Sequence, residues 1–151
     1  MYLRGVAQRT GFLDDYLPYL LRRADQTLSE AFYAVLTESG VARSEWRVLA
    51  VLEELGPLSV LDLTEAALSP QPTVTHAVRR LEDRGLVSRT AGATDRRQRI
   101  VAMTADGSAL TRRLMDDARR LESAALADLD ELDDLVAGLR HLITSLEGVT
   151  A

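Results

Sequence analysis

A chain of 151 residues, 46% hydrophobic and 27% charged, fits one soluble globular domain, with length enough for a sizeable core. It has no cysteine, which excludes disulfides, thiolate metal sites and thiol redox sensing, and its two histidines stand far apart, so neither a metal site nor a cofactor is expected. The formal net charge is −5, yet residues 79–99 hold seven arginines against three acids. That basic island on an acidic body points to an anionic partner met by one surface.

No uninterrupted apolar run approaches the roughly 18 residues of a membrane span. Arg4 and Arg9 interrupt any secretory pattern at the N-terminus, so a cytoplasmic protein without a membrane partner is expected. All 18 basic residues are arginine. A GC-rich genome accounts for this more simply than a demand for planar, bidentate contacts, because arginines also populate helices with no evident binding task.

In chain order, residues 12–39 read as one long helix, with Leu13, Leu17, Leu20, Ala24, Leu28, Ala31 and Val35 at three- and four-residue spacing and Gly40 as its terminator. A second helix is expected from Ser44, its cap, with Trp46, Leu49, Leu52 and Leu55 on one stripe up to Gly56-Pro57. A third, short helix covers about 59–67, with Ser59 and Asp62 spaced as a capping box. "LSPQPTVTHAVRRLEDRG" gives a fourth helix, capped by Ser69 with Pro70 at its first position, burying Val74, Val78 and Leu81 and ending at Gly85. "LVSRT" (86–90) and "RIVAM" (99–103) are strand candidates flanking the polar, turn-forming "AGATDRRQ". Thr104 caps a fifth helix that runs to about 127. A last helix, about 131–147 and capped by Asp130, carries Leu132, Leu135, Val136, Leu139, Leu142, Ile143 and Leu146.

This order makes residues 44–103 a winged helix-turn-helix pattern. The fold class is mainly α: a single domain over 1–151, its DNA-binding lobe flanked by long terminal helices at 12–39 and 105–147. An α-helix fits the major groove of B-DNA, the helix before it braces against the backbone, and a two-stranded ribbon can reach the adjacent minor groove. The outward positions of the fourth helix are Gln71, Pro72, Thr75, His76, Arg79 and Arg80; glutamine suits adenine, arginine suits guanine and a threonine methyl suits thymine. At the hairpin tip stand Asp95, Arg96, Arg97 and Arg99, with Arg99 directed toward phosphate or solvent. Arg84 and Arg89 suit local pairing with Glu82 or Asp83 as well as phosphate contact. The apolar stripe of the last helix is longer than one small core needs and is the dimer element of choice. Trp46 reads as a core residue, with ligand stacking as the alternative; Tyr16, Tyr19 and Tyr33 suit either a pocket or a dimer interface.

The ordered set Thr73-Val74-Thr75, Leu81-Glu82-Asp83-Arg84-Gly85-Leu86-Val87-Ser88-Arg89, Asp95-Arg96-Arg97 and Thr104-Ala105-Asp106-Gly107 resembles the core of the MarR family of bacterial transcription regulators. The motifs span about 40 residues and are weak singly but specific together. The resemblance implies a homodimer held by first and last helices, with Leu13, Leu17, Leu20, Leu132, Leu135, Leu139, Leu142 and Leu146 at its interface. It implies binding to pseudo-palindromic double-stranded DNA, repression, and release by a small, often aromatic effector, for which Tyr16, Tyr19 and Trp46 are the pocket candidates. At matched positions it adds Thr73 to the recognition helix, makes Arg97 the wing-tip arginine entering the minor groove, and makes Asp95 its pairing partner. His76 stands where the family commonly has arginine, Pro70 where a small polar cap is usual, and Met103 for the commoner leucine.

The alternative is a winged-helix protein-interaction module without DNA binding. No nucleophile–base pair, glycine-rich phosphate loop or metal-ligand spacing appears, so no catalysis is expected. The acids of 128–134 read as solvation and dipole capping.

Overall fold

A computed structural model describes residues 11–149; the stretch carrying Arg4 and Arg9 and the last two residues lie outside the described part. The chain runs α1 (Phe12–Asp15), α2 (Leu17–Glu38), α3 (Arg43–Leu55), β1 (Leu58–Ser59), α4 (Val60–Ala66), α5 (Gln71–Asp83), β2 (Val87–Ala91), β3 (Arg99–Met103), α6 (Ala105–Ala125) and α7 (Leu132–Glu147). It is a mainly helical winged helix-turn-helix fold, as the sequence pattern requires.

The long first helix is broken. Tyr16 is extended, with φ −80° and ψ 103°, and separates α1 from α2. Pro18 is the cause: it has no N–H to donate to the turn before it, and its ring clashes with the carbonyl four residues back, so it is tolerated only in a first turn. The end of α2 follows expectation. Gly40 takes φ +67°, and the Val41 N–H reaches back to the Leu36 carbonyl at 2.9 Å.

Three caps differ from the sequence reading. Helix α3 begins after Ala42, not at Ser44: Glu45 in its first turn accepts the Ala42 N–H at 3.1 Å, half of a capping box. Helix α5 begins after Pro70. Prolines 70 and 72 between them remove two of the N–H groups a helix start leaves unpaired, so no side-chain cap is needed. The Ser69 hydroxyl instead donates to the Ala67 carbonyl at 3.1 Å and accepts from Arg47 at 3.3 Å. Between α4 and α5 Leu68 adopts φ +51°, a left-handed conformation that costs a non-glycine residue about 1–2 kcal/mol, and it stands 89% exposed. Ser59 does cap α4: it accepts the Asp62 N–H at 3.1 Å and donates its hydroxyl to the Asp62 carboxylate at 2.7 Å. At α7 Asp130 is not the cap; Glu131 holds that position without a side-chain bond, and Asp133 and Asp134 lie in the first turn, where the helix dipole favours acids.

The hairpin forms as read, Val87 opposite Met103, Arg89 opposite Val101 and Ala91 opposite Arg99. A third strand joins it: β1 pairs with β3 through Leu58 opposite Val101 and Ser59 opposite Ile100, giving the order β1-β3-β2. Two residues are too few to show a period, so β1 was invisible in the sequence. The core gathers Leu36, Val48, Leu49, Leu52, Leu63, Val74, Val78, Leu81, Val101 and Leu114 from α2, α3, α4, α5, β3 and α6. The buried stripe of α3 is Val48, Leu49 and Leu52, while Trp46 is half-buried and Leu55 is 60% exposed. Neither α1 nor α7 buries any residue against the chain.

Thr104 fastens α6 to the base of the wing. It caps α6 through the Gly107 N–H at 3.1 Å, donates its hydroxyl to the Gly85 carbonyl at 2.7 Å and gives its own N–H to the Leu86 carbonyl at 3.1 Å. Gly107 permits this approach, because a Cβ there would lie 2.0 Å from the Leu86 carbonyl oxygen. Gly107→Ala is expected to destabilise the fold by about 1–3 kcal/mol through forced backbone displacement. Urea unfolding checks this; an unchanged midpoint would contradict the close approach.

Candidate nucleic-acid interface

Helix α5 is sorted by its buried stripe. Val74, Ala77, Val78 and Leu81 face the core, which turns Gln71, Pro72, Thr73, His76 and Arg79 to the outside and leaves Thr75 half-exposed. Gln71, Pro72, Thr75, His76 and Arg79 together line one open concavity of about 410 Å³. His76 and Arg79 enter no ion pair among the described residues, so their donors are available.

Arg80 is different. Its side chain crosses onto α3, where Nε lies 2.8 Å from Glu45 Oε1. Glu45 is fully buried, and Oε1 accepts no aligned hydrogen bond, so the contact is one of charge at short range. The other oxygen, Oε2, accepts from the Ala42 N–H at 3.1 Å and from Arg84 Nη1 at 3.3 Å, and the same Arg84 nitrogen donates to the Gly40 carbonyl at 2.8 Å. Arg80, expected on the reading face, thus has an ion-pair partner inside the protein, while its side chain stays 54% exposed. Glu45 was not singled out in the sequence. Its only signal was an acid three residues after a helix start.

The wing tip spans residues 92–98. Its frame is backbone: Gly92 N–H to the Gln98 carbonyl at 2.8 Å and Gln98 N–H to the Asp95 carbonyl at 3.1 Å. Asp95 accepts the backbone N–H of Arg97 at 2.9 Å. Its carboxylate makes no ion pair with the Arg97 guanidinium, so the pairing implied by the resemblance is made to the main chain. Arg96, Arg97 and Arg99 are exposed and carry no ion pair among the described residues. Ser59, Val60, Leu61, Asp95, Arg97, Gln98 and Arg99 line a second open concavity of about 440 Å³ between wing and α4, with Gln98 and the start of α4 as members the sequence did not suggest.

Arg89 pairs locally with Glu82, as one of its two readings had it, whereas Arg84 pairs with neither Glu82 nor Asp83 but with the distant Glu45. Arg89 ties the wing to α5, with Nε and Nη2 on Glu82 Oε2 at 2.8 and 2.6 Å. That bond holds the Glu82 carboxyl below its ordinary value of 4.5 and raises Arg89 further. Glu53 on α3 is likewise lowered, by the hydrogen bonds of Arg112 at 2.6 Å and Ser108 at 2.8 Å from α6.

The aromatic candidates for a ligand pocket lie apart in kind. Tyr16 stacks on Phe12 at 4.6 Å between ring centres and is 43% exposed; Tyr19 is half-buried; Trp46 meets Phe32 edge to face at 4.9 Å on the margin of the core. Tyr33 carries the Arg43 guanidinium 3.7 Å above its ring, beside a polar concavity of about 310 Å³ that Gln26, Thr27 and Glu30 complete. Of the leucines assigned to an interface, Leu13, Leu17, Leu20, Leu135 and Leu146 are exposed at 39–60%, and Leu132, Leu139 and Leu142 are half-buried.

Comparison with known proteins agrees with this geometry. A MarR family model matches residues 39–98. The HTH-type transcriptional repressor NicR of Pseudomonas putida is 30% identical over 131 residues, covering 85% of this chain and 83% of NicR. A MarR family transcriptional regulator of Silicibacter pomeroyi superposes with a TM-score of 0.79 at 34% identity, over 90% of this chain and 98% of that one. The chain belongs to the MarR family. BpsR of Bordetella bronchiseptica, solved in a study of how 6-hydroxynicotinic acid regulates its DNA binding, superposes at a TM-score of 0.76 with 26% identity, over 93% of this chain and 98% of BpsR. This MarR-family chain is a transcriptional regulator, and its relatives are regulators rather than enzymes. No helix among its described residues is long and apolar enough to cross a membrane.

The Glu82–Arg89 pair has a definite pH signature. A carboxyl whose pKa is lowered by folding adds stability above its unfolded value, and that contribution is lost as pH falls through the lowered folded value. Glu82→Gln is therefore expected to melt lower than the parent at pH 7, with the difference shrinking as pH drops below about 4.5. Melting temperatures of both proteins across pH 3–7 check the sign; a gap that widens toward acid would contradict it.

Proposed function

We propose that this regulator is a homodimer that binds a pseudo-palindromic operator, represses transcription there, and is released by a small aromatic effector. The observation that carries the reading is the shared concavity of Gln71, Pro72, Thr75, His76 and Arg79, presented with a wing whose Arg96, Arg97 and Arg99 have no ion-pair partner among the described residues. Residues 44–103 act as the DNA-binding lobe, with Thr73 beside the reading face; helices over 12–39 and 105–147 act in dimerisation. Arg97 enters the minor groove, and Arg96 and Arg99 meet phosphates. Its place of action is the cytoplasm.

The dimer reading is supported by the leucines of α1, α2 and α7. Leu135 at 50% exposure and Ile143 at 54%, like Leu13 at 48% and Leu17 at 47%, present apolar surface that the described part of a single chain does not cover. Two-fold pairing of such lobes sets half-sites about one helical turn apart. The effector reading is supported by BpsR, whose DNA binding responds to 6-hydroxynicotinic acid. In this chain Tyr16 and Tyr19, at the start of α2, and Trp46, on α3 against Phe32, are proposed to receive such a ring.

Selection of bound duplexes from a random pool, followed by binding titrations over salt, tests the reading: one enriched palindrome and a steep loss of affinity with salt are expected. No binding at low salt would overturn it. Arg97→Ala is expected to weaken operator binding by about 1–3 kcal/mol without a change in melting temperature; undiminished affinity would remove Arg97 from the interface. Leu135→Glu is expected to give folded monomers in sedimentation that no longer hold the palindrome, since each protomer would bury an uncompensated charge. A persistent dimer would move the interface elsewhere.

A further inference from the structure

The basic island is only partly available to DNA. Of its seven arginines, Arg80, Arg84 and Arg89 are neutralised by carboxylates of the protein, and Arg79, Arg96, Arg97 and Arg99 are not. Arg80 is the informative member. It lies on the recognition helix next to Arg79, its side chain is 54% exposed, and its guanidinium is drawn inward by one oxygen of a fully buried carboxylate. Arg84 has a second anchor in the Gly40 carbonyl. Losing Glu45 removes the counter-charge of both, but Arg84 stays held at the Gly40 carbonyl, whereas the Arg80 side chain has no other ion-pair or hydrogen-bond partner among the described residues, so the guanidinium set free to move is that of Arg80.

A free guanidinium at that place would reach any passing phosphate. Such a contact stabilises every DNA sequence alike, because phosphates carry no base information. Against the very large excess of competing sites in a genome, this lowers occupancy of the operator. We propose that Glu45 determines specificity by sequestering Arg80, holding one arginine of the recognition helix away from phosphate so that sequence-independent binding stays weak. Glu45 touches no DNA. It acts through Arg80, and the same carboxylate fixes the start of α3 through the Ala42 N–H. The proposal rests on the DNA-binding reading above.

The test compares the full-length parent, Glu45→Gln, Arg80→Gln and the double variant on two duplexes, the selected palindrome and a random sequence, across salt concentrations. For Glu45→Gln the slope of log affinity against log salt on random DNA is expected to steepen by about one unit, close to the −0.9 per phosphate neutralised. The ratio of palindrome to random affinity is expected to fall severalfold, and Arg80→Gln in the same chain should restore the parent slope. Arg80→Gln alone should leave both slopes unchanged. An unchanged slope in Glu45→Gln, with affinity lost equally on both duplexes, would show a purely structural residue and overturn the proposal. A slope about one unit shallower in Arg80→Gln alone would show that Arg80 already meets phosphate, and would also overturn it. This second arm stands by itself where Glu45→Gln fails to fold. Salt-dependent parent binding with unaltered variant slopes would sink this proposal alone, whereas a parent that binds no DNA would sink the reading beneath it.

Discussion

The orientation of the recognition helix depends on one buried carboxylate. Glu45 is inaccessible to solvent and meets Arg80 and Arg84 of α5, while its Oε2 accepts from the Ala42 N–H at the corner between α2 and α3. Removing a carboxylate from water is costly, and the cost is offset only when its oxygens find charge and donors in place. Here the charges and donors come from two different places, the start of α3 and the C-terminal half of α5, so the cluster joins the two helices at a defined point. The apolar stripe of Val74, Ala77, Val78 and Leu81 supplies the attraction between the helices, and that attraction is not directional. The ion cluster adds direction. It clamps the C-terminal half of α5 and leaves the N-terminal half, with Gln71, Thr75 and His76, to face outward.

The wing is held to this frame at both of its ends. Glu82 on α5 grips Arg89 on β2, and Thr104, after β3, bonds both the carbonyl of Gly85 and the N–H of Gly107. Glu53 reaches from α3 to Ser108 and Arg112 of α6. These pairs are partly solvated, so each contributes little alone. Their value lies in position: they link α3, α5, the hairpin and α6 into one body. At the wing base Gly107 of α6 packs against Leu86 too closely to admit a Cβ. The 21-residue helix α6 is thereby fastened at its start to the base of the hairpin.

What was legible in the sequence follows from what repeats. Helix stripes, the terminators Gly40 and Gly85, and the caps Ser59 and Thr104 are set by local periodicity or local hydrogen bonds, and these the sequence displays. The ordered motifs made the family legible as well. Four features were not legible, each for its own reason. The break at Tyr16 lies within a sustained apolar period, and Pro18 had to be weighed against that period. The strand β1 is two residues long and exists only through its partner β3. The caps at Ser44, Ser69 and Asp130 were displaced because a cap residue is chosen by backbone geometry, not by side-chain type alone. The burial of Glu45 depends on arginines 35 and 39 residues later, which no local pattern can reveal.

The wing tip shows why an acid stands among its arginines. Had Asp95 paired with the Arg97 guanidinium, it would have cancelled the charge that a minor groove attracts, and DNA binding would first have to break the pair. Asp95 instead accepts the Arg97 backbone N–H at 2.9 Å, and its carbonyl takes the Gln98 N–H. The acid therefore fixes the loop while leaving the cation uncommitted. Gly92 is required by the same geometry, since a Cβ there would stand 2.7 Å from the Asp95 carbonyl oxygen. Ordering the tip in the free protein lowers the entropy that binding must remove, which favours affinity without adding a contact. The tip and the Glu45 cluster use acids in opposite ways on one lobe: Glu45 takes a guanidinium out of circulation, and Asp95 spends its oxygen on the main chain so that Arg97 keeps its charge.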